Sequence, residues 1–325
     1  MQYSLTDIEK SIREYKPNLK DASVKLYMTS IRRAKDINGS TNMEFIKDVK
    51  STDKNLSDYI PLGSQEKTKY TSVRNTLIAL VVFLESINKE YQYNQLIQEY
   101  KNLINDYNKR YAEEQKDGKL KGRQVANMIS KQELDTLIKT LDQHVAMYKK
   151  KKEIMKLNTK ELSDSRAWIL FHILKEIPTR LDYDNMKLIS QREYNTLKKK
   201  NELTGNYLVS SRGSYKLSFN DYKTNKIYGE NIVEVQKPLK LKINIYLKLN
   251  DYKIGDSIFP MTRNAMSNLL TKTSNKIIKK KVSVQILRKF YVSEKYGGID
   301  PEQVKDAKIM GHDLSVQMKV YNKNL

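Results

Sequence analysis

The hydrophobic positions of this chain repeat with a helical period along most of its length, and one stretch breaks that rule. Residues 1–90 read as helix. Between Asp21 and Ile37, the residues Val24, Tyr27, Ile31 and Ala34 recur every three or four positions, with Lys25, Arg32 and Arg33 between them. That is the apolar stripe of an amphipathic helix. The run from Gly39 to Asn42 breaks it, and a short helix carrying Phe45, Ile46 and Val49 can begin at Glu44. Pro61 to Ser64 predicts a turn. Ser64 can then cap a long helix to about Ile87, with Tyr70, Val73, Leu77, Val81 and Leu84 inward and Lys67, Lys69 and Arg74 outward. Helices of this kind predict a compact bundle. Residues 91–117 repeat the pattern with Leu96, Tyr100, Leu103, Ile104 and Tyr107.

Glu113 to Gly122 is polar and holds two glycines, so it reads as an interdomain linker. The predicted organisation is a helical unit over 1–117, a linker over 118–129 and a second unit over 130–325. In the second unit a helix spans Lys131–Lys149, opened by Ser130 with Glu133 behind it. A second, buried helix spans Asp164–Glu176 around Trp168, Ile169, Leu170, Ile173 and Leu174. From Tyr207 to Leu249 the period changes. The segments Tyr207–Val209, Tyr215–Phe219, Ile232–Val235 and Leu239–Leu249 are rich in β-branched and aromatic residues, with turns at Arg212-Gly213 and Tyr228-Gly229. They predict a small antiparallel sheet set between helices. After Pro260 the pattern is helical again to the end. The expected fold class is mostly α with a small antiparallel β-sheet, an α+β arrangement.

Charge changes the picture. Lys and Arg number 60 against 38 Asp and Glu, a formal net charge of +22. The excess is uneven, with 34 basic and 18 acidic residues from residue 151 onward. Such a field favours a polyanion, and nucleic acid is the commonest one. A lysine-rich solubilising surface is the bland alternative. The absence of cysteine excludes disulfides, thiolate metal sites and cysteine nucleophiles, and fits a reducing compartment such as cytoplasm or nucleus. His144, His172 and His312 form no zinc-ligand spacing, and no metal or cofactor is expected. No apolar run reaches the roughly 20 residues a bilayer requires, and Thr76–Leu84 reads as a buried helix. The N-terminus lacks the pattern of a secretory signal.

The candidate chemistry lies in five places along the second unit. Arg180 follows the buried helix and Pro178, with Asp182 near enough in sequence to orient it. Arg288 closes Gln285-Ile-Leu-Arg288. Gly311-His312 precedes Tyr321 by nine residues. Lys223 and Lys226 lie between two predicted strands. Phosphodiester cleavage without a metal needs a nucleophile, cations on the non-bridging oxygens, a hydrogen-bond donor and an acid for the leaving oxygen. Tyr321 can attack phosphorus and hold it covalently. Its phenol has an ordinary pKa near 10, so it needs nearby cations or a base. Arg180 and Arg288 can clamp phosphate oxygens with planar forks that stay charged. His312 can donate to the phosphate or shuttle the tyrosine proton. Lys223 can act as the general acid, with Lys226 its rival. For duplex contacts the candidates are Lys25, Arg32, Lys67 and Arg74 on the N-terminal helices, and Lys276, Lys279, Lys280 and Lys281 in a basic run.

These residues in this order resemble the tyrosine recombinase (phage integrase) family. Its catalytic domain carries an arginine, a lysine on a β-hairpin, a His-x-x-Arg, a Gly-His and a tyrosine nine residues beyond that histidine. The matching positions are Arg180, Lys223, Gln285 with Arg288, Gly311 with His312, and Tyr321. The resemblance extends over nearly the whole chain, since a helical DNA-binding domain precedes the catalytic domain in that family and the two clamp the duplex. It implies a site-specific recombinase or integrase that acts through a 3′-phosphotyrosyl intermediate, on double-stranded DNA, as a homotetramer, with neither metal nor nucleotide. The context of Arg180 and the AT-rich style of composition resemble versions encoded by large eukaryotic DNA viruses and virophages. Two features depart from the pattern. Gln285 stands where the family has histidine or lysine; an amide can hydrogen-bond a phosphate but cannot titrate. Only four residues follow Tyr321, fewer than the docking helix of many recombinases. Two other functions fit parts of the sequence. A type IB topoisomerase shares the chemistry, although strands would be expected in its first domain. A catalytically silent DNA-binding protein would explain Gln285.

Overall fold

The computed structural model describes residues 3–59, 67–116, 123–295 and 301–311. The chain divides into two compact units, Met1–Asp117 and Gly118–Leu325. Unit 1 consists, among the described residues, of helices α1 (Leu5–Tyr15), α2 (Asp21–Ile37), α3 (Val49–Asp58), α4 (Lys67–Ile87) and α5 (Asn94–Lys116), with a 3-10 turn at Glu44–Lys47. Ser4 and Asp7 form a reciprocal capping box that starts α1. Asp48 caps α3 through the Ser51 amide. The apolar stripe of α2 buries Val24, Met28, Ile31 and Ala34, and leaves Lys25 and Arg32 exposed. Helix α4 is the hub and packs against α1, α2, α3 and α5. Its Tyr70–Ile87 window is long and apolar enough to cross a bilayer by length and composition. In the structure its Leu77, Leu80, Phe83 and Leu84 are fully buried in the core of unit 1. Tyr100 and Tyr107 on α5 reach across to the Ile46 carbonyl, at 2.9 Å, and to Asp53, at 2.7 Å.

Unit 2 begins within the stretch expected to be a linker. Residues Arg123–Asn127 form helix α6, and Met128 and Ile129 join the main core of unit 2. Their apolar side chains are covered by that core, so the ordered unit starts earlier than a polar-linker reading implies. Helix α7 (Lys131–Lys152) opens on a Ser130–Glu133 capping box. Helix α8 (Thr159–Glu176) opens on an Asn158–Glu161 box and buries every residue from Ala167 to Leu174. A helix covered on all sides is the centre of its domain. Helices α7, α11 (Lys237–Leu249), α12 (Arg263–Ile278) and α13 (Val284–Lys295) surround it. Helix α14 (Pro301–Ile309) follows.

The sheet is mixed rather than wholly antiparallel. Its order is β1 (Lys187–Ser190), β2 (Tyr207–Ser211), β3 (Ser214–Phe219), β4 (Asn231–Glu234), with β1 parallel to β2 and the other pairs antiparallel. Helix α9 (Gln191–Lys199), capped by Ser190, makes the crossover that a parallel pair requires. The expected strand over Leu239–Leu249 is instead α11. That segment alternates Leu239, Leu241, Ile243, Ile245, Leu247 as a strand would, but Leu239, Ile243, Tyr246 and Leu247 also share a helical face. Pro238 in the first helical turn starts a helix readily. The helix wins against the core and leaves Leu241 55% exposed. Between β3 and β4 the chain makes a loop containing the one-turn helix α10 (Asn225–Tyr228).

Candidate active site

Arg180, Arg288 and Gly311 come together although they are far apart in sequence. Helix α8 ends at Glu176, and the Pro178 that follows cannot extend it. The chain turns outward there, with the Thr179 hydroxyl bonded to that of Tyr183. This carries Arg180 to the rim of the core. Its Nη1 donates to the Gly311 carbonyl at 3.2 Å. Arg288 sits on the buried face of α13 and is 2% exposed. Its Nε donates to the Pro178 carbonyl at 3.1 Å, and its Nη2 to the Met310 carbonyl at 3.0 Å. One guanidinium therefore joins the end of α8 to the end of α14, and the other caps the next carbonyl. Each carbonyl oxygen is a neutral acceptor, so these bonds fix the orientation of the two guanidinium groups.

Gly311 is required at its position. Its φ is +69°, in the region that favours glycine, and a Cβ there would lie 2.9 Å from both Arg180 Nη1 and Thr224 Oγ1. The Thr224 hydroxyl also donates to the Gly311 carbonyl, at 3.0 Å. Asn231, at the start of β4, donates to the Ile309 carbonyl at 3.1 Å. Thr179, Arg180, Asp182, Tyr222, Asn231 and Gly311 line a cleft of about 10 Å³, room for one water. A larger ligand would meet these groups from outside rather than enter the cleft.

Lys223 is exposed in the turn before α10, between β3 and β4. Its two neighbours are both anchored inward. The Tyr222 ring is buried, with its hydroxyl donating to the Gly229 carbonyl at 2.9 Å, and Thr224 holds Gly311. Lys226, on α10, is exposed as well. Gln285 is exposed on α13, one turn before Arg288. His312 and Tyr321 lie outside the described residues.

Asp182 does not take the part expected of it as the orienting partner of Arg180. It is 4% exposed, and its close partner is Arg263 at the start of α12, at 3.0 Å. Arg263 reaches Asp184 as well, at 3.1 Å. Burial raises the Asp182 carboxyl above its ordinary value, against the opposing charges of Arg263 and Arg180.

The candidate DNA contacts separate into two groups. Lys25 and Arg32 are exposed on α2, and Lys276, Lys279 and Lys281 are exposed at the end of α12 and just beyond. The Lys67 side chain lies outside the described residues. Arg74 and Lys280 are committed within the protein. Arg74 donates to Asn108 at 3.1 Å and lies over the Tyr111 ring, where it joins α4 to α5. Lys280 pairs with Glu133 at 2.7 Å and donates to the Met128 carbonyl at 2.8 Å. A cation held between a helix-capping carboxylate and a backbone carbonyl is an anchor, and its charge is already answered.

Nothing in the sequence marks Thr224, Asn231 or Arg263. A threonine after the candidate lysine and an asparagine opening a strand are too common to mark, and only the folded arrangement brings them to the end of α14. Comparison with protein-family models finds no match, and comparison with curated proteins finds none either.

Proposed function

We propose that this protein is a tyrosine recombinase, a site-specific enzyme that cuts and rejoins double-stranded DNA through a 3′-phosphotyrosyl intermediate. The observation that carries the reading is the convergence of Arg180 and Arg288 on the carbonyls of Gly311 and Met310. Two permanently charged forks aimed at one point form a clamp for a phosphate whose non-bridging oxygens gain charge as phosphorus is attacked. The point is the residue pair that leads into His312, and Tyr321 follows nine positions later.

In this reading Tyr321 attacks the scissile phosphate, forms the phosphotyrosyl bond and expels the 5′ oxygen. Lys223 gives that oxygen its proton. We favour it over Lys226 because residues anchored on both sides fix its backbone. His312 moves the tyrosine proton or donates to the phosphate, and Gln285 can add a neutral hydrogen bond. A partner strand's 5′ hydroxyl then attacks the phosphotyrosine and releases Tyr321. The bond energy is conserved, so no nucleotide is consumed. Lys25 and Arg32 on α2, with Lys276, Lys279 and Lys281, supply salt-sensitive backbone contacts. A homotetramer on DNA follows from the need to exchange two pairs of strands.

A type IB topoisomerase would share the cleavage chemistry. The described residues of unit 1 form helices and no strand, which favours strand exchange over relaxation. The test is covalent trapping on nicked duplex fragments, with Tyr321→Phe as control. Adducts at one inverted-repeat site support a recombinase. Adducts scattered over many short sites support a topoisomerase. Binding without adducts supports a silent DNA-binding protein.

A further inference from the structure

The Gly311 carbonyl receives two side-chain donors from two separate upstream segments of the chain. Arg180 reaches it from the segment after α8, and Thr224 from the loop between β3 and β4. A carbonyl oxygen has two lone pairs, so both bonds can hold together. The strand that follows the loop makes a second attachment to the end of α14, where Asn231 of β4 donates to the Ile309 carbonyl. The loop is also closed on itself, through the Tyr222 hydroxyl on Gly229 and the Tyr228 amide on the Thr224 carbonyl at 3.2 Å. Thr224 and Asn231 thus tie this region to Gly311 and to the last residue of α14, with Lys223 exposed between two anchored neighbours.

We propose that Thr224 is a positioning residue that latches the Lys223 loop onto the acceptor of Arg180 at the end of α14, so that Lys223, Arg180 and Gly311 are set as one unit. Thr224 does not touch the phosphate in this scheme. Its hydroxyl fixes the backbone from which Lys223 projects, and it shares the acceptor that orients Arg180. The chemical consequence rests on the function proposed above, but the mechanical link stands on these contacts alone. Without the hydroxyl, the loop keeps its internal bonds and loses its tie to Gly311. Arg180 keeps its acceptor, but the acceptor loses half of its support.

Two measurements on the full-length chain test this, with Thr224→Val removing the donor and Thr224→Ser retaining it. The first is amide hydrogen exchange without DNA, which needs no catalysis. We expect Thr224→Val to speed exchange over both 222–229 and 305–311, Thr224→Ser to exchange like the parent, and α7 and α8 to be unaffected. Unchanged exchange over 305–311 would overturn the latch. Thr224→Ala serves in the same way if the valine variant does not fold. The second is single-turnover cleavage of a nicked duplex whose leaving atom is either the natural 5′ oxygen or a bridging 5′ sulfur. A thiolate departs without needing a proton, so the sulfur substrate bypasses the general acid. Loss of one such hydrogen bond predicts cleavage about tenfold slower for Thr224→Val on oxygen. Most of that deficit should vanish on sulfur, and Thr224→Ser should stay near the parent rate. An equal loss on both substrates would overturn the link to Lys223. A parent enzyme that forms no adduct would defeat the proposed function, while the exchange result would still decide whether the latch exists.

Discussion

Arg180 and Arg288 on one hand, and Lys280 on the other, are cations of unit 2 that the protein treats in different ways. The arginines are held by backbone carbonyls of Pro178, Met310 and Gly311. Lys280 is held by a carboxylate at 2.7 Å, and its charge in turn keeps the Glu133 carboxyl below its ordinary value, with help from the Ser130 amide. The first arrangement fixes where the two guanidinium groups lie. The second fastens the start of α7 to the end of α12. A third treatment appears at His172, where the charge is removed. His172 is buried on α8 with Nε2 2.9 Å from Asp142, which also accepts from the Trp168 indole at 2.7 Å. Burial, with the nearby charges of Lys242 and Lys175, outweighs Asp142 and lowers its pKa to about 4. Burial of a cation is therefore no sign of function by itself. The partner decides what a buried cation does for the fold.

That comparison breaks most visibly at Arg180. Arg180→Lys keeps the charge but loses the planar fork, so it cannot hold Gly311 and two phosphate oxygens together. We expect cleavage to fall by about 100- to 1000-fold, the range for losing a preorganised donor to developing charge. DNA affinity and thermal stability should change little. A rate within a few-fold of the parent would mean that Arg180 is a surface cation like any other.

The next largest effect is at His172, and it is read as stability. Its folded-state pKa lies below the ordinary value of 6.5, so protons bind the unfolded chain more readily. Its contribution is intact above about pH 6.5 and is lost as pH falls toward about 4. The shift corresponds to about 2–4 kcal/mol. Chemical denaturation across that window should show this loss in the parent, and His172→Asn should remove most of the pH dependence. A curve that is flat from pH 7 to 4 would show that this histidine is not kept neutral by the fold.

The smallest effects separate Lys280 from its neighbours. Lys280→Met should lower stability by about 1 kcal/mol, since Glu133 and the Met128 carbonyl lose a half-buried partner. It should leave the salt dependence of DNA binding alone. Replacing Lys276, Lys279 or Lys281 by alanine should do the reverse, each reducing the logarithmic salt slope by about one at a phosphate contact. Equal slopes for all four variants would place Lys280 back among the DNA contacts.

What the sequence made legible follows the range of the interactions involved. Helix α2 is read to its ends, Asp21 and Ile37, because one amphipathic stripe and a following glycine are local signals. Helix α8 is legible from its unbroken apolar run. The segment Leu239–Leu249 carries both a strand and a helix period, and Pro238 together with packing against α8 selects the helix. Strand β1 is four residues long and is stabilised by β2 across a helix, so nothing local marks it. The candidate site divides in the same way. Arg180, Arg288 and Gly311 are legible from order and spacing. The commitments of Arg74 to Asn108 and of Lys280 to Glu133 are invisible, because surface and buried cations look alike until their partners are folded against them. Thr224 escapes notice for the same reason.

In the proposed function the carbonyl-held arginines serve Tyr321 as the nucleophile. The most direct test is to trap the protein on a nicked duplex, digest it and identify by mass spectrometry the peptide that carries the nucleotide. The account predicts a single modified peptide, containing Tyr321, that is absent from Tyr321→Phe and strongly reduced in Arg180→Lys. A nucleotide on any other tyrosine, or an adduct that persists in Tyr321→Phe, would contradict it.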